Sequence, residues 1–317
     1  MLHLTNGDSA AEAIRSTGVG GDLLIWRDVL HEGPVPASAT DAELREIRAG
    51  HIARAGWGER DEVLADFIRR DERLAAAMAA GEEVVLWFEN DLFDQLQRLQ
   101  VLERLSRARS RPRVTSVETD GYVALLSAQE LMAAWARARS CGEGEFDAAR
   151  RAWRAFTADD PRDLEALAAD DGSLPIPGLA AALRRHLEQY PGRADGLSRS
   201  ERQAVAALAG GPLPFEELFD RAQRAEAHRF LGDLVFRGYL EALAEPPWPL
   251  LEADADREVW RLTDAGRRVL EGGLDRVAGR RFDRWLGGTR LLAPQRIWRW
   301  DPDAGRLVEP KFSSAAG

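Results

Sequence analysis

The chain has 317 residues, 45% hydrophobic and 30% charged, with a formal net charge of −10. That is a globular composition long enough for two domains, and its acidity argues against a general binder of nucleic acid or anionic membrane. A single cysteine, Cys141, excludes an internal disulfide and a multi-cysteine zinc site.

Residues 1–4 (MLHL) read as a short strand. A turn through Asn6 and Gly7 follows, then a helix over 10–15 for which Asp8 or Ser9 is a suitable N-cap. Residues 23–26 (LLIW) read as a second strand, which runs into 27–36, where Gly33, Pro34 and Pro36 exclude regular structure. Thr40 with Glu43 predicts a capping box for a helix over 41–55. A charged amphipathic helix over 59–80 closes at Gly81. The apolar run Val84, Val85, Leu86, Trp87, Phe88 then fits a strand buried on both faces. The polar turn Glu89, Asn90, Asp91 follows, and next a helix carrying Leu92, Leu96, Leu99 and Leu102 at helical spacing. Residues 113–118 read as a further strand. Strands alternating with helices predict an α/β domain over 1–125, with a mostly parallel sheet and helices on both faces. Residues 126–190 read as a helical extension, interrupted by a Pro-rich break at 174–178.

PGRADG at 191–196 reads as a linker. Beyond it come helices over 197–209, 214–221 and 224–237, a strand over 239–244 and a loop over 246–257. A strand over 258–262 and a helix capped by Thr263 complete the order of a winged helix, an α+β domain assigned to 197–275. Its recognition helix would be 224–237, with Arg224, His228, Arg229 and Arg237 as readers of DNA. Acidic residues outnumber arginines across this domain, so DNA is possible as a partner but disfavoured. The tail, 276–317, interleaves Arg280, Arg281, Arg284, Arg290, Arg296 and Arg299 with Trp285, Trp298 and Trp300. It reads either as a stacking surface for nucleotides or as a hairpin whose tryptophans cover a core.

In a parallel sheet the turns after the first, second and central strands meet at the carboxyl edge, where open α/β sheets bind ligands. The candidates there are Asn6, Gly7, Asp8 and Ser9, then Asp28, His31, Glu32 and Gly33, then Glu89, Asn90 and Gln95. The start of the first helix favours an anion, so the expected partner is a small phosphorylated or nucleotide-like ligand. Neither the dinucleotide fingerprint nor a P-loop is present. Glu89, His31 and Asp28 are the catalytic candidates, with Glu89 or His31 as base for hydrolysis or transfer at phosphate. Glu89 continues a buried strand and needs a partner or a shifted pKa. His31 and Glu32 fit a base with its orienting carboxylate, or a solvated loop. Asp28, Glu32, Glu89 and Asp91 offer oxygen ligands, but no metal-binding spacing accompanies them and no metal is assigned. Helix capping alone also accounts for Asp8, Ser9, Asn90 and Asp91. No apolar run is long enough to span a membrane and residues 1–9 lack a secretion signal, so no membrane partner and a cytoplasmic location are expected. The competing readings are a DNA-binding regulator with the α/β domain as sensor, and a non-catalytic adaptor.

Three motifs in order carry a resemblance: His3–Ala11 as HLTNGDSAA, then Asp28 with Gly33 and Pro34, then Trp87, Phe88, Glu89 and Asn90 with Gln95 and Leu96. They resemble the bacterial family catalogued as domain of unknown function 1835, over the first domain by motif and more loosely along the chain. Asp8, Ser9, Asp28, Gly33, Pro34, Glu89, Asn90 and Gln95 fall on the family's motif positions; His31 and Asp91 do not. The resemblance implies a shared crevice built from these turns and no particular reaction.

Overall fold

A computed structural model of the chain describes residues 1–170, 174–278, 281–293 and 297–309. The chain divides into two compact units, Met1–Leu183 and Arg184–Gly317. The first contains β1 (Leu2–Thr5), α1 (Asp8–Ser16), β2 (Asp22–Ile25), β3 (Gly33–Pro34), α2 (Asp41–Arg54) and α3 (Arg60–Ala79). It continues through β4 (Val84–Trp87), α4 (Leu92–Ser106), β5 (Val114–Ser116), a 3-10 turn at Val123–Leu125, α5 (Ala128–Ala136), β6 (Arg139–Ser140), α6 (Glu143–Thr157) and α7 (Arg162–Ala169). The division falls within α8 (Leu179–Leu187).

The sheet of this unit runs β2-β1-β4-β5-β6. β1 lies parallel to β2 and β4, and β4 parallel to β5, as the alternation of strands and helices predicts. The edge strand β6 is antiparallel to β5 and was not expected, being two polar residues long. Residues over 126–183 are therefore part of this unit rather than a separate extension. Every residue of β1 and β4 is buried, which explains their continuous rather than alternating apolar character.

The two faces carry different helices. Val85 and Trp87 pack with Ala10 and Ile14 of α1 and Leu131 and Ala134 of α5. The alternate residue Leu86 pairs with Ser116, whose hydroxyl accepts from Arg98 of α4, so α4 covers the opposite face. α4 is buried around nearly its whole circumference, its polar side chains included. Burial of this kind is tolerable only with partners. Gln97 Nε2 donates to the Asp28 carbonyl at 3.1 Å, Gln100 accepts from Trp26 Nε1 at 2.9 Å, and Arg98 binds Glu118 at 2.9 Å.

The capping box of Thr40 and Glu43 forms as predicted. α1 differs. It begins two residues earlier than expected, its N-cap is Gly7 with no side-chain cap, and Asp8 pairs with Arg27 at 2.5 Å instead. β1 runs on to Thr5, so only Asn6 and Gly7 separate the strand from the helix.

The second unit contains α9 (Arg199–Ala207), β7 (Leu213–Pro214), α10 (Phe215–Ala222), α11 (Asp233–Leu243), β8 (Leu251–Ala253), β9 (Val259–Leu262) and α12 (Asp264–Leu270). β10 (Phe282–Gly287), β11 (Thr289–Ala293), β12 (Arg299–Asp301) and β13 (Arg306–Val308) follow. β7, β9 and β8 form an antiparallel sheet in that order. The helix expected over 224–237 and the strand over 239–244 are replaced by α11. Val235, Phe236, Tyr239, Leu240 and Leu243 bury one helical face, and Gly238 interrupts the pattern in sequence without breaking the helix. The loop expected over 246–257 contains β8. The expected linker at 191–196 lies inside this unit, where the Pro191 carbonyl accepts from Trp300 N at 2.9 Å.

In the tail, the hairpin of β12 and β13 forms as predicted. Trp298 and Trp300 are buried, Arg299 pairs with Asp275 and Arg290 with Asp283, so these groups form no open stacking surface. Arg280 and Arg296 lie outside the described residues.

Two substitutions test α4 as a buried scaffold by urea denaturation. Leu96→Ala, at a position with no exposure, should cost about 2–5 kcal/mol. Gln100→Ala, which strands the Trp26 indole N–H, should cost about 1–3 kcal/mol.

Candidate functional site

β1 and β4 are neighbours in the sheet, yet α1 and α4 leave their carboxyl ends toward opposite faces. That is a topological switch point, the place where open α/β sheets have their crevice. Asn6 and Gly7 line one side of it and residues 89–91 the other. Asn6, Gly7 and Asn90 are half-buried there, whereas Asp8 and Ser9 are exposed.

Three carboxylates gather at this point. One oxygen from each of Glu89, Asp91 and Asp94 lies within 4.8 Å of the others, and all three residues are buried. Asp91 caps α4 by accepting from Asp94 N at 2.9 Å. Asp94 stands where a capping-box acid would stand, but its side chain reaches back past the cap. It accepts from Glu89 N at 2.7 Å and from Asn6 Nδ2 at 2.5 Å, so it joins the two turns. Gln95 Nε2 donates to the Glu89 carbonyl at 2.6 Å. Glu89 Oε1 accepts from Val123 N at 2.7 Å, which brings in the turn after β5 as well.

Burial and crowding raise all three pKa values. Burial pushes Glu89 up to about 8, with the Asp94 charge adding to it and the Val123 amide opposing. Asp94 rises to about 6 through burial, opposed by its donors from Glu89 and Asn6 and by the nearby Arg98 charge. Asp91 is held well above the usual carboxylate range by burial and by the Asp94 charge. At neutral pH, Glu89 therefore carries a proton, and the cluster holds fewer than three charges.

The second turn attaches to α4 further along. Arg48 of α2, with 1% of its side chain exposed, pairs with Asp28 at 2.8 Å and donates to the carbonyls of Glu32 and Val29 at 2.6 and 2.8 Å. Asp28 is thereby held in a buried ion pair. His31 is buried edge-on to Phe93 at 6.0 Å, which does not fit the solvated-loop reading. Gly33 has φ +80°, and a Cβ there would meet the His51 ring at 2.4 Å. Its glycine is required by packing rather than by a ligand.

Asp94, Val123, Arg48 and Gly178 take part without having been expected. Asp94 carried a local signal, an acid three residues after an N-cap, but that signal reads as capping. Gly178 has φ +80° and sits so close to Asn90 that a Cβ would lie 2.5 Å from Asn90 Oδ1. The 174–178 segment thus covers the Asn90 side of the crevice. Nothing local announces this, nor the parts of Val123 and Arg48. Compared with protein-family models and with curated proteins, the chain matches none.

The raised carboxyls set a pH dependence. The folded state keeps the Glu89 proton up to about pH 8, whereas an ordinary glutamate loses it near 4.5. Between these values the folded state binds more protons, so stability falls as pH rises. Unfolding free energy measured in urea with a chelator should drop from pH 5 to 8.5, by at most about 1.4 kcal/mol per pH unit for each proton held. Glu89→Gln should flatten that drop; an equally steep profile in the variant would contradict the assignment.

Proposed function

We propose that the first unit binds a small phosphorylated or nucleotide-like ligand in the crevice between the carboxyl ends of β1 and β4. The meeting of Asn6 and Gly7 with Glu89, Asp91 and Asp94 at the switch point carries this reading. The start of α1 supports the anionic end of the ligand. Its N-cap has no side-chain oxygen, so the first amides of the helix, beside Asp8 and Ser9, keep their donors for phosphate. Asn90 and Gln95 then line the deeper side.

If the ligand is turned over, Glu89 is the acid. A carboxyl raised to about 8 is protonated at neutral pH and donates to a leaving oxygen, after which it accepts a proton as base. Hydrolysis or transfer at phosphate is the reaction class this suits. His31, packed on Phe93, is a positioning residue in this scheme and not a second base.

The second unit supports a separate reading as a winged-helix-like domain, because α9, α10 and α11 precede the antiparallel pair β8 and β9, and β7, between α9 and α10, pairs with β9. As a DNA reader it is poorly equipped. Arg224 and Arg229 both pair with Asp220, and Arg237 lies over the Phe215 ring at 3.9 Å. The exposed Leu234 and Val259 suit a docking surface for protein better, in line with an adaptor role.

A thermal-shift screen of nucleotides and sugar phosphates tests the ligand reading. A ligand at about 100 times its Kd adds roughly 2.7 kcal/mol, which moves the midpoint by about 4–7 °C. Glu89→Gln and Asn6→Ala should each abolish the shift. The proposal fails if no such compound shifts the wild type, or if the shift survives both substitutions. A response to duplex DNA alone would place the function in the second unit.

A further inference from the structure

We propose that Glu89, Asp91 and Asp94, with Gln95 and Thr5, form a site for one divalent, oxygen-seeking cation of the calcium, manganese or magnesium class. The donor set is all oxygen, which is the set such hard cations take. Its dimensions also fit. Oxygens opposite each other on calcium, at about 2.3–2.6 Å from the ion, are roughly 4.6–5.2 Å apart, and on magnesium about 4.0–4.2 Å. The three carboxylate oxygens lie within 4.8 Å of one another, so calcium fits as they stand and magnesium draws them together.

A second, independent observation comes from two neutral side chains. Gln95 and Thr5 have no exposed surface, and neither Gln95 Oε1 nor Thr5 Oγ1 has a hydrogen-bond partner among the described residues. Buried acceptors of this kind are rare, because nothing replaces the water they lose. Gln95 lies at the cluster. Gln95 stands one helical turn after Asp91, and its Nε2 is anchored on the Glu89 carbonyl at 2.6 Å, which holds the remaining amide oxygen beside the Glu89–Asp91 turn. Thr5 pairs across the sheet with Trp87, the last residue of β4, two residues before Glu89. A cation at the centre satisfies both oxygens and offsets the mutual repulsion of the carboxylates.

The hydrogen bonds already present leave the ligating capacity intact. Asp94 accepts one donor on each oxygen, from Asn6 and from Glu89 N, and each oxygen keeps a further lone pair. These donors fix the orientation of the carboxylate, as outer-shell hydrogen bonds do around metal ligands. The ion would also supply the positive charge that a phosphate needs beside three acids; Glu89 serves as the acid only in the cation-free site and as an ionised ligand in the loaded one. In this sense the inference deepens the ligand reading, on which its location at the crevice rests, and its test uses the cation alone.

The full chain, freed of metal with a chelator and then dialysed at mildly alkaline pH, is titrated with calcium, manganese or magnesium chloride. Calorimetry follows all three ions, and the spin-resonance signal of free manganese follows that ion directly. The expected result is one ion per chain for at least one of them, with Glu89→Gln and Asp91→Asn each weakening binding about tenfold or more. Asparagine still caps a helix, so Asp91→Asn keeps α4 intact. Gln95→Leu, which removes a neutral oxygen together with the Nε2 bond to the Glu89 carbonyl, should weaken binding by less. The absence of binding by any of the three ions up to about 1 mM, the weak end for calcium sites, overturns the proposal. So does an affinity unchanged in both carboxylate variants. Cation binding without any response to nucleotides or sugar phosphates supports the cation site and removes the ligand reading. Ligand binding that is indifferent to chelator, with no cation bound, does the reverse.

Discussion

The carboxylate of Asp94 is accessible to nothing but protein, and three parts of the first unit depend on where it points. One oxygen takes the amide of Asn6 from the turn after β1, the other takes the backbone N–H of Glu89 from the turn after β4, and its own N–H is held by Asp91. These bonds close the switch point of the sheet and bring Glu89 and Asp91 alongside. The same arrangement concentrates three acids in a space without solvent, which raises their pKa values. The closed turns and the raised pKa values come from one constraint.

α4 extends that constraint through the unit. A helix buried all round is ordinarily apolar, but this one carries glutamines and arginines inward, and each is answered from a different element: β5 and the segment after it, the second turn, Trp26 and α3. Such a network specifies register, since a slip of the helix leaves several buried polar groups unpaired at once. Its cost is stability, and sites that break local rules are where function is commonly found. The crevice sits at the amino end of this helix, where the network changes from neutral and paired to acidic and crowded.

The second unit follows a different logic. Many of its described charges are paired, on the surface or in buried ion pairs such as Arg185 with Glu226 and Arg276 with Glu201. Of the arginines that looked free for DNA in sequence, Arg224 and Arg229 are held by Asp220 and Arg237 lies on the Phe215 ring. Among the described residues, no helix is long and apolar enough to cross a membrane.

Much of the first unit could be read directly from the chain. The apolar run at 84–88, the polar turn and the helical leucines specify a strand, a turn and a helix, because each pattern is local and repeats with the period of its element. The parallel order followed from alternation, and the Thr40 cap from two residues three apart. Glu89 as the residue needing explanation was also evident, from its place at the end of a buried strand. Asp94 was not, because an acid at that position caps helices as a rule, and only Asn6, distant in sequence, redirects it. Nor was the commitment of Asp28 to Arg48, or the closing of Asn90 by Gly178. In the second unit the helix α11 was displaced in the reading because Gly238 and the aromatic residues around it suggest a strand until burial on one helical face decides. The local elements are written in short-range periodicity. Which carboxylates meet, which are neutralised by a buried arginine and which remain to act depends on contacts between residues far apart in the chain, and packing alone makes those.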